Sequence, residues 1–220
     1  MFKKVIGVVL LVGSALSFNA AAVDRSNPYD MVKEAGERTF ARLHDEQALI
    51  QKDPNHLRVI MNEELLPYID YKYAALKVLG RYFGQTPREK IPEYMQEFRD
   101  YLINTYATVL AQYDNQKVVF QPAQDVEDDS NVTVRALIQE PGRPDIKIAF
   151  KVRKNDKTEE WAAYDMVAEG TSLLSAKRSE LEGILGKDGI DAVIKMLKEK
   201  NAESITLPEK NFNVVNDQSE

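Results

Sequence analysis

The chain has 220 residues, with 29 Lys and Arg against 35 Asp and Glu, which gives a formal net charge of −6. An acidic chain lacks the basic surface that nucleic acids and anionic membranes attract, so the composition argues against a dedicated nucleic-acid binder. The absence of cysteine excludes disulfides, a cysteine nucleophile and cysteine-bound metals, and His44 and His56 are too few for a multi-histidine metal site.

The first 22 residues have the pattern of a cleavable secretory signal peptide. A basic start at Lys3 and Lys4 precedes an apolar run over residues 5–16, and Ala20–Ala22 supplies a small-residue cleavage site. The apolar run of about a dozen residues is too short for a membrane span, which needs roughly 20. Val23, rather than a cysteine, follows the predicted cleavage point. We therefore expect an exported, soluble protein without a lipid anchor.

The remaining sequence divides into a helical part, a strand part and a second helical part. Apolar residues recur at three- and four-residue intervals over 27–113 and again over 171–200, which is typical of amphipathic helices. Residues 116–168 instead alternate apolar and polar positions, which is typical of strands with one apolar face. We expect one domain over 23–207, followed by a polar tail over 208–220.

The strand part predicts an antiparallel sheet of about four strands. Two strands alternate most clearly, with one face formed by Val132, Val134, Ala136 and Ile138 and by Ile146, Ile148, Phe150 and Val152. Turn residues over 141–144 join these strands as a hairpin, and shorter strands are predicted over 117–121 and 161–168. The order of helices, strands and helices predicts an α+β fold in which N- and C-terminal helices cover one face of a curved sheet.

Aromatic residues concentrate in the first helical part, between residues 68 and 113. Tyrosine combines apolar bulk with a hydroxyl group, which suits a boundary between an apolar space and water. The same helical spacing is also typical of ordinary core packing. The sequence pattern therefore leaves open whether these rings line a cavity or fill a core.

A strand carboxylate provides one possible catalytic group. Asp165 and Tyr164 could form an acid–base pair in a curved-sheet cavity enzyme that acts on an apolar small molecule. If Tyr164 and Met166 face the core, however, alternation places Asp165 on the outside of the sheet. We regard this enzyme as an alternative function, and we expect no catalytic residue.

The polar face of the predicted sheet has a local excess of positive charge, at Arg135, Lys147, Lys151 and Arg153. This face could simply be solvated, or it could dock an acidic partner or a lipid phosphate. A periplasmic adaptor or chaperone that binds protein segments through the basic face is therefore a second alternative function.

A series of short motifs then occurs in a characteristic order along the chain. They are Asn27-Pro28-Tyr29, Glu64-Leu65-Leu66-Pro67-Tyr68, Gly142-Arg143-Pro144, Arg153-Lys154-Asn155, Trp161-x-Ala163-Tyr164-Asp165-Met166 and Ala168-Glu169-Gly170. Each motif alone is weak, but in this order and spacing the set resembles the MlaC, or toluene-tolerance, family of periplasmic phospholipid-binding proteins. The resemblance covers roughly residues 27–200.

This resemblance implies a periplasmic carrier that moves phospholipids between the outer and inner membranes and so maintains the lipid asymmetry of the outer membrane. It implies two protein partners, an outer-membrane MlaA–porin complex and an inner-membrane ABC transporter that presents MlaD. It also implies that the acyl chains enter an apolar cavity between sheet and helices. The phospholipid is then the cargo, with no cofactor or metal. We expect a monomer, because the carrier must visit two partners.

Alternation and helix stripes select candidate residues for this cavity. From the helices and the sheet we expect an acyl-chain lining of Leu76, Leu79, Tyr82, Leu102, Tyr106, Val134, Ile146, Ile148, Phe150, Tyr164 and Met166. Arg143 and Lys147, near the end of the predicted hairpin, are candidates for contact with the lipid headgroup or with a protein partner.

Overall fold

The computed structural model describes residues 23–114, 116–127 and 129–208. The predicted signal peptide and the predicted polar tail beyond residue 208 lie outside the described residues. The helices are α1 (Pro28–Asp45), α2 (Gln47–Lys52), α3 (His56–Ile60), α4 (Tyr71–Leu79), α5 (Ile91–Leu110) and α6 (Leu173–Asn201). The strands are β1 (Lys117–Phe120), β2 (Asn131–Gln139), β3 (Ile146–Lys154), β4 (Trp161–Ala168) and β5 (Thr171–Ser172).

Helices α1, α4 and α6 begin at residues whose side chains accept hydrogen bonds from free backbone N–H groups. The side chain of Asn27 accepts hydrogen bonds from the backbone N–H of Tyr29 and Asp30 at the start of α1. Asp70 caps α4 through the N–H of Tyr73, and Ser172 caps α6 in the same way. These caps fix the direction in which α4 and α6 leave the edge of the sheet.

Shorter helical segments connect the main helices. The chain continues from α3 as a π-helical turn over Met61–Leu65 and a 3₁₀ turn over Leu66–Tyr68, and 3₁₀ turns over Gly80–Gln85 and Arg88–Lys90 precede α5. The helix α6 is kinked at Gly189, where φ is 77°. Among the described residues, no helix is both long and apolar enough to cross a bilayer.

The sheet is antiparallel and has the order β1-β2-β3-β4-β5. The predicted hairpin is confirmed, since Val134 pairs with Phe150 and Ile138 pairs with Ile146. The α+β fold is also confirmed, but the sheet has five strands instead of about four. The additional strand, β5, has only two residues after a tight turn, and so short a segment has no recognisable alternation.

A β-bulge interrupts the alternation of β4. Lys151 pairs with Asp165 and the next residue of β3, Val152, pairs with Ala163, so Tyr164 is the extra residue in β4. Residues 161 and 163 therefore share a face with residue 166, although their numbers differ in parity. A simple even–odd assignment of β4 side chains fails at this point.

Buried apolar side chains form three clusters. One lies between α4, α5 and α6, and a second joins α1, α2 and α3 to the C-terminal half of α5 and to Ile205. The third lies between the N-terminal half of α1 and the sheet, and it includes Val134, Val152 and Trp161. Since α1 contributes to both of the latter clusters, it connects the sheet to the helical layer.

Candidate functional site

The apolar face of the sheet is covered by helix at one end only. At the covered end, formed by Val134, Val152 and Trp161, no residue is more than 1% exposed. Along β3 towards the hairpin turn, Phe150 and Ile148 are half-buried and Ile146 is 45% exposed. The cover supplied by α1 therefore stops partway along the central strand.

We call the less covered part of this face the open end and define it as Ile138, Ile146, Ile148, Phe150 and Met166. These residues share a face because Ile138 pairs with Ile146, and because Phe150 pairs with Met166 on its other side. Apolar side chains on a central strand are normally covered by a second layer. Their partial exposure therefore indicates an apolar surface that is available to a ligand or a partner.

The position of α1 on the sheet is fixed by a close contact at Gly36. A Cβ atom at this position would lie 2.5 Å from the ζ carbon of Phe120, so the ring packs directly on the helix backbone. Phe120 is in β1 and pairs with Ala136 of β2. This contact fixes α1 against the β1 edge of the sheet, and it therefore determines how much of the apolar face α1 covers.

Aromatic side chains of the helical layer lie beyond the covered end. The rings of Phe40 in α1 and Tyr113, just after α5, are 4.8 Å apart. Tyr106 of α5 is packed in the same helical cluster but keeps part of its surface accessible. Burial, followed by the charge of Asp165, raises the pKa of the Tyr106 phenol above its ordinary value.

A pocket of about 330 Å³ connects the helical layer to the β2–β3 hairpin turn. Its apolar lining comes from α1, α2, α3, the end of α5 and the C-terminal segment, and includes Leu43, Ile50, Leu57, Leu110, Tyr113 and Leu207. Glu140 and Arg143 of the hairpin turn line its other side. The volume is at the small end of the roughly 300–1,000 Å³ that is usual for ligand pockets.

Asp165 lies on the opposite face of β4 from Met166, as alternation predicts, because it pairs with Lys151 while Met166 pairs with Phe150, but it is buried and not exposed to solvent. Its side chain is 1% exposed, and Oδ2 accepts hydrogen bonds from Lys151 Nζ at 2.9 Å and Ser172 Oγ at 2.7 Å. Oδ1 accepts from the backbone N–H of Leu174 at 3.0 Å. The turn after β4 brings the start of α6 over this face of the sheet and covers the carboxylate. Asp165 thus ties β4 to α6.

The structure places the predicted lining residues in several different surroundings. Ile146, Ile148, Phe150 and Met166 belong to the open end, and Val134 belongs to the covered end. Leu79, Tyr82 and Leu102 pack in the cluster between α4, α5 and α6. Leu76 is 37% exposed, and Tyr164 contacts the ring of Tyr73 edge-on at 5.1 Å. The eleven residues therefore do not surround one space, and their contact with lipid stays a prediction.

The two predicted headgroup or partner residues are also separated. Arg143 lines the pocket at the hairpin turn, with its guanidinium 3.2 Å from Glu140. Lys147 is exposed on the opposite face of β3 from Ile146 and Ile148. Arg143 is therefore the one of the two that lies near the apolar space.

Sequence reasoning did not select the helical side of this pocket. Leu43, Ile50, Leu110 and Tyr113 lie at or near the ends of their helices. Their signal was present in the three- and four-residue apolar spacing, which continues to the last turn of α1 and α5. Among the described residues, no group of three or more His, Asp or Glu side chains is arranged to hold a metal ion.

Comparisons with known proteins agree on one group. The profile of a family described as "MlaC protein" matches residues 33–199. A Haemophilus influenzae protein named "Intermembrane phospholipid transport system binding protein MlaC" is 33% identical, over 92% of this chain and 95% of the relative. A solved structure of a phospholipid-binding protein from Ralstonia solanacearum, in complex with a phospholipid, has the same fold. It has a TM-score of 0.71 and 24% identity, and the match covers 80% of this chain and 97% of that chain.

Proposed function

Since the chain belongs to the MlaC family, we propose that it is a soluble periplasmic carrier that moves phospholipids between the outer and inner membranes. It holds the acyl chains against the open end of the sheet and beneath the helical layer. The name of the Haemophilus relative and the phospholipid bound in the Ralstonia protein support this proposal. Its biological effect would be to maintain the lipid asymmetry of the outer membrane.

A lipid carrier must replace the free energy that the acyl chains lose when they leave the membrane. Burial of each methylene group is worth about 0.8 kcal/mol, so two chains of about sixteen carbons need roughly 25 kcal/mol of apolar burial to leave a membrane. Release requires that the site does not hold the chains much more tightly than a membrane does. An apolar surface with little headgroup recognition meets both requirements.

The open end is the feature that supports this function most directly. Ile146, Ile148 and Phe150 lie on a central strand with part of their surface exposed. Tyr106 and Tyr113 stand in the helical layer, and Arg143 borders the pocket where a phosphate could remain in water. A pocket of about 330 Å³ is small for two acyl chains, so we expect the helices and the hairpin to separate when lipid enters.

The proposed partners follow from the family. They are the MlaA–porin complex at the outer membrane and MlaD of the ABC transporter at the inner membrane. A carrier that exchanges cargo with each partner in turn is expected to act as a monomer. We propose that any energy for directional transport comes from the transporter.

The alternative of a cavity enzyme loses its strongest candidate base. Both oxygens of Asp165 are already engaged by Lys151, Ser172 and the N–H of Leu174. A carboxylate whose two oxygens already accept these hydrogen bonds is not available to abstract a proton from a substrate. Tyr164, the proposed acid, packs against Tyr73 instead.

Native mass spectrometry of the purified chain tests the carrier proposal. Wild-type protein is expected to carry the added mass of a two-chain phospholipid. We expect Ile148→Glu to lose most of this lipid, because a carboxylate in the apolar site is costly to desolvate. The exposed apolar residue Val59 on α3 gives a matched control, and Val59→Glu is expected to retain lipid.

Circular dichroism of both variants shows whether they fold. Folded Ile148→Glu protein with the wild-type lipid content would contradict the placement of the acyl chains on the open end. Wild-type protein purified without lipid from cells, and unable to take lipid from vesicles, would contradict the carrier function itself.

A further inference from the structure

The face of the sheet opposite α1 forms a second surface, which we call the outer face. We define it as the part of this face away from the contacts of Arg153 with α4 and of Asp165 with α6, namely Lys117, Val119, Arg135, Leu137, Lys147, Ala149 and Val167. The pairs Val119–Leu137, Leu137–Lys147, Arg135–Ala149 and Ala149–Val167 place these side chains on one face. We propose that the outer face is a docking surface for an acidic protein, and this proposal rests on the carrier function above.

The positive charges on the outer face are not neutralised by acidic side chains of the described residues. Lys117, Arg135 and Lys147 are exposed, and their side chains make no hydrogen bond or ion pair with any residue that the structure describes. By contrast, Lys151 is paired with Asp165, and Arg153 lies 2.8 Å from Asp70. Of the four cations predicted for this face, Lys151 and Arg153 are therefore paired within the chain, and Arg135 and Lys147 remain free together with Lys117.

The charge of the outer face contrasts with that of the whole chain. Lys117, Arg135 and Lys147 remain free on this face, where the acidic Asp165 is buried and paired with Lys151, whereas the chain has a net charge of −6. Such a local reversal of sign orients an acidic partner before contact and raises the rate of association at low salt. A second copy of this chain is disfavoured as the docking partner, because two molecules that each have a net charge of −6 repel each other.

The apolar residues of this face favour a protein over a membrane. Val119 is 38% exposed, and Leu137, Ala149 and Val167 are half-buried between the cations. These side chains are short and lie between the cations, and an apolar centre with a polar rim is the usual arrangement of a protein interface. Surfaces that insert into membranes instead present protruding Trp, Phe or Leu side chains, and the outer face has none that protrudes.

Charge reversal on the outer face tests this proposal. Binding of Lys117→Glu/Arg135→Glu to the purified MlaD ectodomain and to the purified MlaA–porin complex is measured by biolayer interferometry at low and high salt. We expect at least one of the two complexes to weaken about tenfold or more at low salt, and the salt dependence of that complex to decrease. The matched control is Lys187→Glu/Lys195→Glu on α6, which makes the same change in net charge at exposed positions and is expected to bind normally.

The outcomes separate docking from lipid binding. The outer-face variant is expected to keep its lipid in native mass spectra, because both side chains lie on the opposite face of the sheet from the open end. Unchanged binding to both partners, or no binding of the wild-type chain to either, would overturn the docking surface. So would a loss of binding to anionic vesicles with unchanged protein binding. Wild-type protein that docks but never carries lipid would contradict the carrier function and leave the docking surface standing.

Discussion

The two ends of the apolar face differ in cover although they are built from the same kinds of residue. Val134 and Val152 are fully buried under α1, whereas Ile146 and Ile148, on the same face of the same hairpin, keep accessible surface. Alternation along a strand decides which way a side chain points. The helices that cross above decide whether it becomes core or binding surface, and here that depends on where α1 leaves the sheet.

The largest effect is expected at the covered end. Trp161→Ala should lower the free energy of unfolding by about 3–5 kcal/mol, since the ring is almost fully buried and its loss leaves a cavity. Ile148→Ala is the matched change at the open end and should cost only about 1 kcal/mol, because much less surface returns to water. Urea denaturation of lipid-free protein measures both values. Equal losses would show that the two ends are packed alike.

A smaller effect is expected where α1 is anchored. Glycine within a helix is normally less stable than alanine by about 0.5–1 kcal/mol, so Gly36→Ala would stabilise an unobstructed helix. Because the new Cβ meets the ring of Phe120, we expect a net loss of about 1 kcal/mol instead.

The second half of this cycle uses Phe120→Leu, which removes the ring. In that background we expect Gly36→Ala to stabilise by about 0.5–1 kcal/mol, as measured by thermal and urea unfolding. The same sign of effect in both backgrounds would contradict the contact as the anchor of α1.

The smallest effect is expected from a charge network at the end of α1. Glu46 lies 2.7 Å from Arg42 and is bonded to His56, and the hydrogen bond from Arg42 holds the pKa of Glu46 below its ordinary value. A carboxyl group with a lowered pKa in the folded state stabilises the fold above its ordinary range. That contribution is lost as the pH falls through the lowered value.

We therefore expect Glu46→Gln to reduce stability at pH 7 by about 0.5–1 kcal/mol and to flatten the loss of stability below about pH 5. The measurement is a series of urea titrations from neutral to acidic pH. Glu199→Gln, at a largely exposed position on α6, is the control and should leave the pH profile unchanged. A profile of Glu46→Gln that is parallel to the wild type would exclude a role for this pair in acid sensitivity.

The strands could be predicted from the sequence because their signal is local. The bounds of β4 over residues 161–168 and the pairing of β2 with β3 follow directly from alternation and turn residues. The bulge at Tyr164 could not be predicted, since one extra residue leaves no mark on composition. The burial of Asp165 was missed for another reason, because alternation gives its face but does not reveal that the start of α6 covers it.

The surroundings of the helical residues were harder to predict because α5 packs on two sides. Phe98 faces the cluster with α4 and α6, while Ile103 and Ala107 face α3 and the end of α1. An apolar stripe identifies such a helix as buried, but it does not assign each residue to a cluster. Leu79 is accordingly core between helices, and the open end was found more reliably from strands than from helices.

The bonds of Asp165 have a consequence for how the molecule could open. Because this carboxylate bonds the first turn of α6 to β4, the helical layer and the sheet are held together at the β4 edge. At the opposite edge, among the described residues, no hydrogen bond joins the β2–β3 hairpin turn to α2. We therefore expect the layers to separate at the hairpin edge, so that lipid enters on the side of Arg143 while the β4 edge stays closed.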